Sequence, residues 1–99
     1  MALTPDAAGA VIGELNRRME AVRAGRYEGR DKAALAVVKV DGDGLVCDVT
    51  LSKSISKYRS DAVSKAVREA LLAAQLSLTQ AYETLAAEAE QLTAGDSDG

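Results

Sequence analysis

The chemistry available to this chain comes mainly from its lysines and arginines. The 99 residues include no histidine, which is the commonest general base and a frequent metal ligand near neutral pH, and only one cysteine. All twelve basic residues lie between Arg17 and Arg68, and the stretch 16–68 has a net charge of +5. Because clustered cations attract polyanions, this pattern favours contact with phosphate groups over catalysis.

The basic residues are candidate contacts to the backbone of double-stranded DNA. The DNA-contact candidates are Arg17, Arg18, Arg23, Arg26, Arg30, Lys32, Lys57 and Arg59, and the same basic set includes Lys53, Lys65 and Arg68. The alternative is that these charges only solvate helix faces, since Glu14–Arg18, Asp61–Lys65 and Lys65–Glu69 have the i,i+4 spacing of helix ion pairs. No aromatic residues interleave with the cations in a way that would stack nucleobases, which disfavours recognition of single strands or RNA.

Two other features have simpler explanations than chemistry. The segment Asp41–Gly44 resembles the start of a calcium loop, but the positions of the later ligands hold Leu45 and Ser52, so we predict a hairpin turn. Cys47 falls on the apolar face of a predicted strand and is expected to be a buried, unreactive thiol. We therefore expect no metal, no cofactor and no enzymatic activity.

The first half of the chain predicts a helix followed by a β hairpin. Apolar residues at helical spacing predict a helix over about 5–24, with Thr4 as its N-cap. A Val-rich segment over 33–40 and an alternating segment over 45–51 predict two strands, the second of them half-buried. A short additional strand is expected at 27–30.

The second half predicts a polar connector and one long helix. Residues 52–60 are mostly polar, and Ser60 is the expected N-cap of a helix from about 61 to 93, roughly 50 Å long. Residues 94–99 are expected to be a disordered acidic tail. The predicted fold is thus α+β, with a small antiparallel sheet of two or three strands in a single domain over 1–93.

Composition and spacing both favour a homodimer. The chain has 19 alanines and no phenylalanine or tryptophan, so a lone monomer would have a thin core. Apolar residues of the long helix also form a narrow seam of coiled-coil type. The seam residues are Val67, Leu71, Ala74, Leu78, Ala81, Leu85 and Leu92. We expect the first helix to cover part of this seam and a partner to cover the rest.

The N-terminal sequence and hydropathy favour a cytoplasmic location. The first six residues, Met-Ala-Leu-Thr-Pro-Asp, do not have the basic and apolar regions of a signal peptide. No apolar run approaches the length needed to cross a membrane. We expect no membrane partner.

The hairpin and the helix after it carry a resemblance to a known family. Residues 36–51 read Ala-Val-Val-Lys-Val-Asp-Gly-Asp-Gly-Leu-Val-Cys-Asp-Val-Thr-Leu, and apolar residues follow at Ala62, Val63, Val67, Ala70, Leu71 and Ala74. This pattern resembles the YbaB/EbfC family of bacterial nucleoid-associated proteins, in particular its actinobacterial members. The resemblance implies an intertwined dimer whose strands share a sheet and whose helices project, DNA binding without enzymatic activity or cofactor, and a nucleoid location.

The charge distribution departs from that family in one respect. Its projecting helices are thought to hold DNA, whereas residues 69–99 of this chain contain six acidic residues and no basic one. We therefore expect DNA to lie against the basic middle of the chain. The first hypothesis is a nucleoid-associated homodimer with little base specificity. The alternative is a non-enzymatic protein-interaction module, of the kind linked with type VII secretion in some relatives, that uses the acidic helices and the Leu/Ala seam.

Overall fold

A computed structural model describes the backbone of residues 5–97 and the side chains of residues 8–92. It contains a helix, a three-stranded antiparallel sheet and a long helix, which confirms the predicted α+β class. The elements are α1 (Pro5–Ala24), β1 (Tyr27–Arg30), β2 (Ala36–Val40), β3 (Val46–Leu51), a 3₁₀ turn (Lys53–Lys57) and α2 (Ser60–Ser97). The expected cap residue Thr4 lies outside the described residues.

The sheet has the order β1-β2-β3, so the predicted short strand over 27–30 is confirmed. Alternate residues of the central strand, Ala36, Val38 and Val40, are buried and face α2. Val49 and Val38 are cross-strand partners, and a register shift between Lys39 and Val40 interrupts the β2–β3 pairing. The apolar side of β2 therefore packs against α2.

Small residues let α2 lie unusually close to the sheet. Ala66, Ala70 and Ala74 are buried and follow one another at intervals of four, so they form one side of the helix. Gly29 of β1 packs directly against the α2 backbone, because an added Cβ at this position would lie 2.1 Å from the nitrogen of Ala74 and 2.3 Å from the carbonyl oxygen of Ala70. The alanine-rich composition therefore serves helix–sheet contact within the chain.

The segment between β1 and β2 is a turn, and β2 begins at Ala36 and not at residue 33 as predicted. The carboxylate of Asp31 is buried and accepts hydrogen bonds from the backbone N–H groups of Ala33 at 3.2 Å and Ala36 at 2.8 Å. Ala34 has a left-handed φ of 58°. A side chain that bonds the backbone in this way competes with strand pairing and sets the start of the strand.

The long helix is longer than predicted at both ends. The carbonyl oxygen of Arg59 accepts from the N–H of Val63 at 3.1 Å, so Arg59 takes the capping position predicted for Ser60, which is instead the first helical residue. The helix continues to Ser97, so the predicted disordered tail overlaps it at 94–97, and residues 98 and 99 lie outside the described residues. Its 38 residues span about 57 Å.

This helix makes the molecule elongated, with extents of 63 × 20 × 15 Å and a radius of gyration of 19.2 Å. A compact domain of about 100 residues would have a radius of gyration of about 13 Å. The distal part of α2 therefore projects beyond the sheet, as expected for a projecting arm.

Two predictions about β3 are wrong for the single chain. All six of its residues are exposed, although a half-buried strand was predicted, and Cys47 is exposed, not buried. The reason is the place of β3 in the sheet, because α2 lies over β1 and β2 and β3 forms the edge beyond the helix. In addition, the register shift pairs Val40 with Val46, so Val46 and not Cys47 lies on the same side of the sheet as Val49 and Leu51. Alternation in the sequence shows neither this irregularity nor whether another element covers the strand.

The Leu/Ala seam is covered mainly by the sheet. Ala74 and Leu78 are buried in the core, and Val67 and Leu71 pack half-buried beside it. Farther along, Ala81 and Leu85 line a cleft with α1. Leu92 is half-buried. The expectation that α1 covers part of the seam is thus met only in this distal section, because the sheet already occupies the proximal one.

Candidate nucleic-acid interface

The arginines of α1 are held by carboxylates. Arg17 pairs with Glu14, and its Nε lies 3.2 Å from Glu14 Oε2. Arg18 pairs with Glu14 at 2.9 Å on its own helix and with Glu88 on α2. Arg23 Nη1 lies 3.2 Å from a carboxylate oxygen of Glu20. These three candidate DNA contacts on α1 therefore lie beside negative charge, which weakens their attraction for phosphate.

Arg18 has a structural role that follows from its position between two helices. Its side chain is about one-third exposed and joins Glu14 of α1 to Glu88 of α2. Hydrogen bonding to Glu14 raises the pKa of the Arg18 guanidinium. Hydrogen bonds from Arg17 and then Arg18 lower the pKa of Glu14 below its ordinary value of 4.5. The Arg18 guanidinium is thus occupied in holding α1 against α2.

The two arginines around β1 are also engaged, in different ways. Arg26 Nη1 donates to the carbonyl oxygens of Gly25 at 3.0 Å and Ala24 at 3.3 Å, which are neutral acceptors. Arg30 Nη2 lies 3.4 Å from a carboxylate oxygen of Glu28. Arg26 therefore keeps its full charge available, whereas Arg30 has an acidic neighbour.

Of the seven remaining cations, Lys39 lies exposed on β2, and the other six gather where the connector meets the start of α2. We call this group the basic end. It consists of Lys32, Lys53, Lys57, Arg59, Lys65 and Arg68, all exposed. Among the residues with described side chains, none of the ion pairs involves a member of this group. The basic end is therefore the part of the described surface where positive charge is concentrated without ion-pair partners.

A 3₁₀ turn holds the connector lysines in place. Ser52 Oγ accepts from the N–H of Ser54 at 3.2 Å, and the N–H of Tyr58 donates to the carbonyl oxygen of Ile55 at 3.1 Å. Ile55 packs against the core and anchors the turn. Lys53 and Lys57, at its two ends, are exposed. The sequence interpretation gave this segment no regular structure, although Ser52 two residues before Ser54 is a signal for a capped turn.

Two of the three predicted helix ion pairs do not form. Glu14–Arg18 is confirmed, but neither Asp61 nor Glu69 lies within ion-pair distance of Lys65. Glu69 Oε1 instead accepts from the backbone N–H of Lys32 at 3.5 Å, which places the turn after β1 beside α2. Tertiary contact thus brings Lys32 to the same region as Lys65.

A groove of about 300 Å³ lies in this region, between the turn after β1 and the first turns of α2. Lys32, Lys65 and the ring of Tyr58 line it, together with apolar residues. Asp31 and Glu69 also contribute to its walls, but both Asp31 oxygens accept backbone hydrogen bonds. The lysines of the groove can bind an anionic group, and Tyr58 and the alanines can pack against an apolar or ring surface of the same ligand.

Within residues 8–92, no three His, Cys, Asp or Glu side chains come together in a way that could hold a metal ion. No helix in the described part of the chain is both long enough and apolar enough to span a membrane.

Comparison with known proteins does not assign the chain to a family. No protein-family model matches the sequence. No curated protein shows significant sequence similarity to it.

Proposed function

We propose that this protein is a nucleoid-associated homodimer that binds the phosphate backbone of double-stranded DNA with little base specificity. The observation that supports this most directly is the separation of the cations into two classes. Three α1 arginines have carboxylate partners, whereas the six residues of the basic end have none among the described residues. The α+β architecture with a projecting helix also agrees with what the resemblance to the YbaB/EbfC family implies.

The mechanism is neutralisation of phosphate charge. Each cation that contacts a phosphate releases counterions from DNA, so affinity falls steeply as salt rises. Six uncompensated cations per chain become twelve in a dimer. Contacts of this kind position DNA without reading its bases, because phosphates are alike in every sequence.

The distribution of charge along α2 indicates which end of the protein is expected to contact DNA. Lys65 and Arg68 lie in the first turns, whereas the distal acids Glu83, Glu88 and Glu90 have no basic residue between them. Phosphate is attracted to the proximal end and repelled by the distal arm. DNA is therefore expected against the basic end, with the arm pointing away from it.

Dimerisation is supported by the exposed side of β3. Val46, Val49 and Leu51 lie on the α2-facing side of the sheet, because their cross-strand partners on β2 are the buried residues Val40, Val38 and Ala36. All three are more than two-fifths exposed, and the outer edge of β3 has no partner strand among the described residues. A second copy would cover this apolar strip.

The test compares two groups of charges in a DNA-binding assay. Fluorescence anisotropy with a random-sequence duplex, at several salt concentrations from 50 to 200 mM, should show tight binding that weakens with salt. The variant Lys53→Gln/Lys57→Gln/Arg59→Gln should lower the slope of log affinity against log salt by about 3 per chain. The control Arg17→Gln/Arg23→Gln removes charges that already have carboxylate partners and should change the slope by less than 1.

The outcomes have distinct meanings. Absence of binding at 50 mM salt by a protein with native circular dichroism would contradict DNA binding itself. A larger effect from the α1 control than from the connector variant would instead move the contact surface to α1. The second candidate function, a protein-interaction module, is favoured by the acid-only distal arm and by the cleft between α1 and α2 lined by Val22, Ala81 and Leu85.

A further inference from the structure

We propose that the outward side of α2 is a self-association surface on which two copies of this chain pair antiparallel. We call this surface the outer face and define it by Lys65, Leu72, Leu76 and Glu83. Lys65 also belongs to the basic end, but the other three residues lie farther along the helix. The proposal concerns contact between copies and stands independently of DNA binding.

The four residues share one side of the helix. Their separations are seven, four and seven residues, which at about 100° per residue places all of them within an arc of about 40°. The buried residues Ala70 and Ala74 lie on the opposite side, against the sheet. The outer face is therefore directed away from the protein's own core.

This face carries apolar surface that the chain does not cover. Leu72 is 66% exposed and Leu76 is 58% exposed. They are one helical turn apart and form a patch, which differs from the isolated exposed leucines common on protein surfaces. Lys65 and Glu83 are exposed and take part in none of the ion pairs described for residues 8–92.

The order of residues makes the outer face complementary to the outer face of a second copy. Lys65 and Glu83 are equally distant from the midpoint between Leu72 and Leu76. A two-fold axis at that midpoint places Leu72 opposite Leu76 of the partner subunit and Lys65 opposite Glu83 of the partner subunit. In a parallel pair in the same register, each charge would instead lie beside the identical charge of the partner subunit. Charge complementarity therefore favours a second copy in the antiparallel direction.

The size of the contact predicts a weak and reversible association. It comprises four leucines and two exposed ion pairs along about 27 Å of helix. Surfaces of this size belong to transient complexes, and exposed ion pairs contribute orientation more than affinity. Such a contact suits the joining of units that are already assembled through another surface, such as the uncovered side of β3.

Site-specific cross-linking tests the pairing directly. In a Cys47→Ser background, Leu72→Cys and Leu76→Cys chains carrying tags of different size are co-expressed and oxidised. A disulfide between the two kinds of chain is expected, because facing Cα atoms of paired helices can approach within 7 Å. Each variant alone should cross-link several-fold less, since equal positions are offset by about 6 Å along the axis. Equal cross-linking by Leu72→Cys alone, or none in the mixture, would overturn the proposal.

Charge exchange provides a second test that does not depend on a disulfide forming. Lys65→Glu should slow the mixed cross-link by roughly three- to tenfold, because it brings two acids together at each end of the pair. The double variant Lys65→Glu/Glu83→Lys should restore the rate, since each charge again faces its opposite. A double variant as slow as the single one, with native circular dichroism, would exclude the antiparallel arrangement.

Discussion

Gly29 is the residue at which β1 comes closest to α2. An added Cβ would lie 2.1 Å from the backbone nitrogen of Ala74, and backbone atoms of a packed helix cannot move aside as a flexible side chain can. Nothing in the sequence around Gly29 indicates this contact, because Ala74 lies 45 positions farther along the chain. The glycine is needed for packing across the fold and not for the conformation of its own strand.

We predict that Gly29→Ala lowers the free energy of unfolding by about 3 kcal/mol, through overpacking that shifts β1 from α2. The matched control is Gly13→Ala in the interior of α1, where nothing lies within 4 Å of an added Cβ. That change should stabilise the protein by about 0.5–1 kcal/mol through helix propensity. Urea denaturation followed by circular dichroism measures both, and equal effects of the two substitutions would contradict the packing assignment.

At the scale of elements, α1 is attached to α2 by a small number of side chains. Arg18 links Glu14 to Glu88, and Val22 packs against the core from the last turn of α1. The hydroxyl of Tyr27 donates to the carbonyl oxygen of Val22 at 2.8 Å, which ties the end of α1 to the sheet. The attachment of α1 to α2 therefore depends on polar contacts more than the attachment of the sheet to α2 does.

We predict that acid loosens this attachment. The pKa of Glu14 is below 4.5 in the folded protein, chiefly because Arg17 and Arg18 donate hydrogen bonds to its carboxylate. A carboxylate with a depressed pKa contributes stability above its unfolded pKa, and that contribution is lost as pH falls through the folded value. The protection of α1 amides against hydrogen exchange, relative to the intrinsic rate at each pH, should therefore fall below pH 4.5, and Glu14→Gln should reduce this fall. Identical pH profiles for the two proteins would contradict the prediction.

At the scale of the whole molecule, one apolar surface remains uncovered beside the core. α2 lies over β1 and β2, so the α2-facing side of β3 extends past it and exposes Val46, Val49 and Leu51. The thin core inferred from composition is therefore compatible with a stable protein, provided that this further apolar surface is buried. The missing buried surface can come from a second copy, and exposed edge strands commonly recruit one.

We predict that the protein sediments with twice the chain mass of 10.3 kDa at micromolar concentration. Val49→Lys should shift it toward monomer, because the charge would be buried on the α2-facing side of β3. Thr50→Lys places the same charge on the other side of the same strand and should leave the mass unchanged. A monomeric wild type, or equal effects of the two lysines, would argue against this surface.

The sequence by itself determined the order and type of the elements. Their signals are local: alanine- and leucine-rich stretches without Gly or Pro form the long helix, and Asp-Gly repeats between valine-rich segments form the hairpin. These features depend on neighbours within a few residues, which the sequence displays directly.

Only the tertiary structure decided which charges are available and which surfaces are covered. Arg18 and Glu88 are 70 positions apart yet form an ion pair, whereas Lys65 forms none with the carboxylates spaced correctly for it. Likewise, alternation predicted a buried Cys47, but Cys47 is exposed on the edge strand β3, where a register shift breaks the alternation. Pairing and burial depend on which elements pack side by side, and spacing along one element carries no information about its neighbours in space.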